Sequence, residues 1–298
     1  MCVHDFCIAG IVNLNTYTME LEMYDDLESP QHTSALRMEI DDAEIAYTDT
    51  GQGKPLIFIH GFPFDQSTWQ EQAAYFRKTR RVITYDIRGF GASTAGRLFL
   101  SIPLFADDLV QLMDALKIPQ AVVCGLSMGG YIALNAVSRY PERFEALVLC
   151  DTQCIADSAE AKEKRFKSIA QVESEGLQEF AADFTDKVFS RETHDHRKDR
   201  VIRVRNIITR TPVEVVSATL KALAERSETC SILEQIRVPV LIICGEEDGV
   251  TPLKQSQAMQ AQIAGAVLET IPGAGHLSNM DQPEGFNSRL ETFLNGLA

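Results

Sequence analysis

Short, almost wholly apolar runs recur along this chain, and they constrain its fold more than any other feature. Five stand out: "PLIFIH" at 55–60, "RVITYD" at 81–86, "AVVCG" at 121–125, "ALVLCD" at 146–151 and "VPVLIICG" at 238–245. "AVLETIP" at 266–272 is a sixth candidate. Each is too short for a stable helix, rich in β-branched residues, and bounded by turn-forming or polar residues. Near-continuous apolarity means burial on both faces, which is the signature of strands in a parallel sheet. Helical patterns fill the gaps. "PLFADDLVQLMDAL" sets Leu104, Phe105, Leu109, Leu112 and Leu116 along one stripe, and "YIALNAVSRYP" stops before Pro141. "PEGFNSRLETFLNGL" closes the chain with Asp281 as its expected N-cap. The alternation predicts an α/β fold: a mostly parallel central sheet with helices on both faces. The opening "LRMEIDDAEIAYTDTGQGK" predicts antiparallel strands at one edge.

Between Thr152 and Arg237 the alternation stops. Leu177, Phe180, Ala181, Phe184 and Val188 repeat at helical spacing, as do Val213, Val216, Leu220 and Leu223. The predicted organisation is a core of residues 38–151 and 237–298 carrying an inserted helical cap, 152–236. The charge run "HDHRKDRVIRVR" reads as a solvated helix face. His194 and His196, two apart, point to opposite sides of a helix and do not form a metal pair. Residues 1–37 show no period and contain "MYDDLESPQH". They read as a dispensable extension; the competing reading is translated upstream sequence, with Met38 as the start.

Charge narrows the partners. Lys and Arg total 28 against 42 Asp and Glu, a net charge of −14, which disfavours nucleic acid and anionic membranes. No apolar run approaches the length of a membrane span, and the opening "MCVHDFCIAGIV" lacks the basic segment of a secretory signal. The seven cysteines show no metal-type spacing, and Cys124, Cys150 and Cys244 lie in or beside apolar strands. A reducing, cytoplasmic setting is expected. A homo-oligomer is compatible with all of this.

The chemistry centres on "VVCGLSMGGYIAL", residues 122–134. Ser127 stands between Gly125 and Gly129 where a strand becomes a helix. A serine hydroxyl is a poor nucleophile without an adjacent base, and the base needs an orienting acid. A sharp strand–turn–helix lifts the hydroxyl clear of the sheet, and small neighbours let the two elements pack closely. The loop "FIHGFPFD" offers the backbone N–H of Phe62 to a developing oxyanion, with the N–H of Met128 as second donor. His60 reads as a structural residue of that loop. "CGEEDGVTP" offers Glu246, Glu247 and Asp248 after one strand, and "PGAGHLSNM" offers His276 after the last. The order Ser127, Asp248, His276 is that of a serine hydrolase built on an open α/β sheet.

Together "HGFP", "YDIRGFGAS", "GLSMGG", "GEEDGVTP" and "GAGHLSNMDQP" make residues 38–298 resemble the α/β-hydrolase family. The resemblance implies Ser127 as nucleophile, Asp248 as acid and His276 as base, with Asp86 and Arg88 fixing a structural loop. Some relatives take the acid from an earlier strand, which here is Asp151; the match of "GEEDGVTP" favours Asp248. Serine at the elbow disfavours the dehalogenases and epoxide hydrolases of this fold, which attack with aspartate. "GLSMGG" and "GHLSNMDQP" are similar to 3-oxoadipate enol-lactonases and small carboxylesterases. "HGFPFD" is closer to general esterases and the cofactor-free haloperoxidase-like branch. The implied activity is hydrolysis of small carboxylic esters or lactones. C–C bond hydrolysis, a cofactor-free lyase or perhydrolase reaction, or a ligand receptor keeping the pocket are the alternatives. Trp69 and Met128 are candidates for the acyl pocket, with a plain core role for Trp69 as the equal alternative. No cofactor or metal is implied: "RGFGAS" lacks dinucleotide-binding spacing.

Overall fold

In a computed structural model the described residues are 35–297. Eight strands form one sheet: β1 Leu36–Ile40, β2 Ala43–Thr50, β3 Pro55–Ile59, β4 Arg81–Tyr85, β5 Ala121–Leu126, β6 Phe144–Cys150, β7 Val240–Gly245 and β8 Val267–Ile271. Their order is β1-β2-β4-β3-β5-β6-β7-β8. β1 and β2 are antiparallel, as is β2 with β4; every pairing from β4 through β8 is parallel. Every residue of β5 and β7 is buried, which is why those runs are apolar throughout rather than alternating. The direction of winding reverses at β3, which has β4 on one side and β5 on the other. The carboxyl ends of β3 and β5 therefore flank the crevice where open α/β sheets place their sites.

Most of the predicted extension, residues 1–34, lies outside the described residues. Leu36 and Arg37, placed in that extension, pair with Tyr47 and Ala46 in the edge hairpin. The predicted N-cap of the last helix is also corrected. That helix runs Pro283–Asn295 behind Gln282. Asp281 instead ends the short helix Ser278–Asp281, and its carboxylate accepts from the N–H of Gly275 and of Ser190.

Between β6 and β7 the chain forms helices Ala159–Glu175, Gln178–Val188, Arg191–His196, Lys198–Arg210 and Val213–Glu225. A disulfide joins Cys154, before these helices, to Cys230, after them. This pair departs from the expectation of a reducing setting, because disulfides persist in oxidising ones. No local spacing announces it: the cysteines are 76 residues apart and meet only when the helical segment returns to the sheet. Cys124, Cys150 and Cys244 are free and buried, as their apolar settings suggest. Among the described residues no helix is long and apolar enough to cross a membrane.

The loop after β4 is anchored by a buried cation. The Arg88 side chain is 1% exposed and donates to both oxygens of Asp108, at 2.7 and 2.6 Å, while also pairing with Asp42. Asp86 accepts from the Gln66 and Ala92 amides, tying the same loop to the segment after β3. Removing Asp108 leaves the buried guanidinium with only the partly exposed Asp42 as its ionic partner. Asp108→Ala is expected to lower unfolding free energy by about 3–5 kcal/mol, read as a shift in the urea midpoint.

Candidate active site

β5 passes into the helix Met128–Arg139 with only Ser127 between them. To make that turn Ser127 takes φ 53° and ψ −113°, a conformation that a side chain disfavours. Two contacts from the end of β6 hold it there. The Ser127 N–H donates to the Cys150 carbonyl at 2.9 Å, and the Thr152 hydroxyl donates to the Ser127 carbonyl at 2.7 Å. The flanking glycines are needed for close approach. A Cβ on Gly125 would stand 2.3 Å from the Gly129 carbonyl oxygen, and one on Gly129 would stand 2.4 Å from that of Ile59. Strand and helix could not converge so tightly with any larger residue.

The loop after β3 closes against the same serine. A Cβ on Gly61 would lie 3.1 Å from Ser127 Cβ, so the Gly61–Phe62 backbone passes beside the hydroxyl-bearing carbon. Met128 is the first residue of its helix, where backbone N–H groups have no intrahelical acceptor and the dipole is positive. His60 locks the loop as predicted. Its Nε2 accepts from the Ile87 N–H at 2.9 Å, so its Nδ1 carries the proton and donates to the Gly61 carbonyl at 2.8 Å. Burial lowers its pKa to about 4, keeping the ring neutral.

The expected acid and base, Asp248 and His276, follow the carboxyl ends of β7 and β8. His276 Nε2 lies 2.8 Å from Ser127 Oγ, and its Nδ1 lies 2.9 Å from Asp248 Oδ2. An ionised carboxylate only accepts, so Nδ1 carries a proton, and in the neutral ring Nε2 is free to accept from the serine. Asp248 Oδ1 accepts from the N–H of Val250 and of Thr251, and Oδ2 also accepts from the Thr251 hydroxyl. Burial opposes charge on Asp248, but the imidazole and these donors outweigh it and bring its pKa down to about 2. Burial likewise opposes charge on His276, and the Asp248 carboxylate overcomes it, raising the imidazole pKa. The neighbouring acids play no part: Glu246 and Glu247 are exposed, and Glu246 accepts from Thr270.

Sequence reasoning does less well with the walls. Trp69, a candidate for the acyl pocket, is fully buried in the core, 4.7 Å from the Phe58 ring and 5.7 Å from that of Phe286. Its burial fits the core role that stood as the alternative. The aromatic surface beside the loop comes instead from Phe62, which meets Phe90 of the core and Phe180 and Phe184 of the helix Gln178–Val188. Helical spacing marked Phe180 and Phe184 as apolar-face residues but could not say which surface that face covers. Thr152 carried no signal at all beyond following a strand.

Comparison with known proteins agrees with this architecture. A family profile described as the alpha/beta hydrolase fold matches residues 54–283. The chain is 31% identical to the 3-oxoadipate enol-lactonase 2 of Acinetobacter baylyi over 255 residues, spanning 85% of this chain and 94% of that protein. An esterase from Thermogutta terrifontis superposes with TM-score 0.85 at 33% identity, covering 88% of this chain and 99% of the other. The enol-lactonase from Burkholderia xenovorans LB400 superposes with TM-score 0.82 at 26% identity, over 87% and 100%. With its sheet order, its strained serine turn and these matches, the chain belongs to the α/β-hydrolase family.

Proposed function

We propose that the protein is a serine hydrolase of small carboxylic esters or lactones, acting through an acyl-enzyme. The observation that carries this reading is the continuous chain of contacts Ser127 Oγ, His276 Nε2, His276 Nδ1 and Asp248 Oδ2. Ser127 is the nucleophile, His276 the general base and Asp248 the acid that orients the ring and stabilises the imidazolium. Ser127 Oγ attacks the substrate carbonyl carbon as its proton passes to His276 Nε2. The carbonyl oxygen, now negative, rests against the N–H groups of Phe62 and Met128. Collapse of the tetrahedral species expels the alcohol oxygen, which takes the proton from His276. Water then enters, loses a proton to the same nitrogen, and releases the carboxylic acid while Ser127 regains its hydrogen. In a lactone the leaving alcohol stays joined to the acyl part.

Several features support a small substrate. Ser127 is only 9% exposed. The rings of Phe180 and Phe184, from the helical segment that acts as a cap, pack on Phe62, whose loop passes beside Ser127. Relatives described as an esterase and as enol-lactonases support acyl transfer from oxygen.

Ser127→Ala is expected to lower turnover of p-nitrophenyl acetate and butyrate by about 10⁴-fold or more, in protein whose melting is unchanged. Rates equal to wild type would remove Ser127 from the mechanism.

The paired acid and base also predict a pH signature. Asp248, lowered to about 2, contributes stability above its unfolded value near 4 and loses it as pH falls toward 2. His276, with a raised pKa, contributes below its unfolded value near 6.5 and loses it as pH rises through its folded value. The pair therefore stabilises most between about pH 4 and pH 6.5. The stability gap between wild type and Asp248→Asn is expected to shrink by roughly 2 kcal/mol as pH falls from 4 to 2, measured by urea unfolding across that range.

A further inference from the structure

The end of β6 contacts the serine turn, the strand leading to Asp248 and the loop after His276, although no residue of it enters the proposed reaction. Cys150, Asp151 and Thr152 follow one another there, and each makes a different connection. The Cys150 carbonyl accepts the Ser127 N–H, and the Thr152 hydroxyl donates to the Ser127 carbonyl. The strained serine is thus gripped on both sides by one tripeptide. A Cβ on Gly130 would stand 2.4 Å from Thr152 Oγ1, so this glycine is what lets Thr152 reach the turn.

Asp151 connects to the other two loops. It adopts φ 45°, turning its fully buried side chain beneath the site. Oδ1 accepts the Gly245 N–H at 2.8 Å, three residues before Asp248. Oδ2 bonds the Ser278 hydroxyl, two residues after His276. Its own N–H donates to the Ile243 carbonyl of β7 at 2.9 Å. One carboxyl group therefore joins the strand bearing Ser127's contacts, the strand leading to the acid and the loop leading away from the base.

We propose that Asp151 and Thr152 are positioning residues: Thr152 fixes the serine turn, and Asp151 sets the acid and base loops relative to it, working as a neutral carboxylic acid. This rests on the serine-hydrolase reading above. The neutral form follows from the surroundings. The groups that act on Asp151 are the Asp248 carboxylate and the His276 ring across the loops, with the Cys150 and Cys244 thiols on the strands. Asp151, Cys244 and Asp248 bring their polar atoms within 4.8 Å of one another. Asp248 already places one negative charge in this dry space, and a second beside it is disfavoured. Burial, and then Asp248, push the pKa of Asp151 up to about 8. As an acid it can donate its proton to Ser278 while still accepting from Gly245, so both bonds survive without charge.

The test uses three full-length variants: Asp151→Asn, Asp151→Ala and Thr152→Val. Competent sites in each are counted by end-point labelling of Ser127 with a fluorophosphonate, so that loss of folded protein is not read as loss of rate. Small displacements of reacting groups cost about a hundredfold. Per labelled site, Asp151→Ala is expected to lose roughly that factor in kcat on p-nitrophenyl butyrate, with KM changed by less than about twofold. Thr152→Val is expected to lose about tenfold in kcat. Asp151→Asn keeps both hydrogen bonds and is expected to restore kcat at pH 7 to within about threefold of wild type. The pH profile separates this role from a purely structural one. Ionisation of Asp151 makes His276 hold its proton more tightly, so the wild-type rise in kcat/KM is stretched toward alkaline pH. Asp151→Asn rises in a single step at lower pH. Equal kcat per labelled site and superimposable pH profiles in all three variants, with only the melting temperature lowered, would overturn the proposal. Wild-type protein that neither labels nor turns over ester would instead overturn the serine-hydrolase reading, and this proposal with it. If Asp151→Ala does not fold, the near-isosteric Asp151→Asn and Thr152→Val still decide.

Discussion

The backbone of a single serine is the constraint on which the site depends. A non-glycine residue held at positive φ costs on the order of 1–3 kcal/mol, and it persists only where its surroundings over-determine it. Here they do. Strand β5 fixes the residues before Ser127, the helix Met128–Arg139 fixes those after, and β6 grips its amide and carbonyl. Each contact demands something of the sequence nearby. Close convergence demands Gly125 and Gly129; room for Thr152 demands Gly130. The three glycines follow from the geometry of the turn and have no chemistry of their own. The turn, in return, points Oγ at His276 and leaves the first N–H groups of the helix facing the same space.

Electrostatics then sorts two buried carboxyls into different states. Asp248 and Asp151 stand at the ends of β7 and β6 and bracket one imidazole. Asp248 receives two amide hydrogens, a hydroxyl and the Nδ1–H, and its pKa falls to about 2. Asp151 receives one amide hydrogen and lies against a hydroxyl that can reverse its bond, and its pKa rises to about 8. Burial raises both; the His276 imidazole and then the hydrogen bonds outweigh it at Asp248, whereas the neighbouring Asp248 charge adds to it at Asp151. Residue type alone could not make that distinction.

Much of this was legible in the sequence, for a physical reason. Strands buried on both faces must be apolar, and a tight strand-to-helix turn must be glycine-flanked, so both leave local marks. The proposed catalytic side chains come at the ends of such strands; chain order points to Ser127 and His276, and the resemblance of "GEEDGVTP" to the family's motif singles out Asp248. What was not legible depends on pairing across distance. Trp69 carried no sign that it faces Phe58 and Phe286. The meeting of Cys154 with Cys230 depends on how 76 residues return to the sheet, and periodicity says nothing about return paths. The bonds of Asp151 to Gly245 and Ser278 depend on strand neighbours that are far apart in the chain.

The return path matters for specificity. The disulfide closes the helical segment at its base, and a loop of that length constrained in the unfolded chain contributes about 4 kcal/mol on the chain-entropy argument. Uncharged contacts reinforce the same point: the Thr229 N–H donates to the Cys154 carbonyl at 2.8 Å. Charged ones do as well. Arg226 bonds Asp157 at 2.7 Å and the Ile155 carbonyl at 3.1 Å, and its guanidinium lies 4.4 Å from the centre of the Tyr131 ring. Tyr131 is one helical turn beyond Ser127, so the base of the segment is pinned to the element that carries the serine. The far part meets the core through Phe180 and Phe184 against Phe62, and Phe62 contributes one of the proposed oxyanion amides. The rings of Phe180 and Phe184 thus pack on the residue whose amide is proposed to receive the developing charge. If Phe62 supplies that amide, substitutions at Phe180 or Phe184 would act on its backbone as well as on the aromatic surface, and so would couple substrate preference to rate.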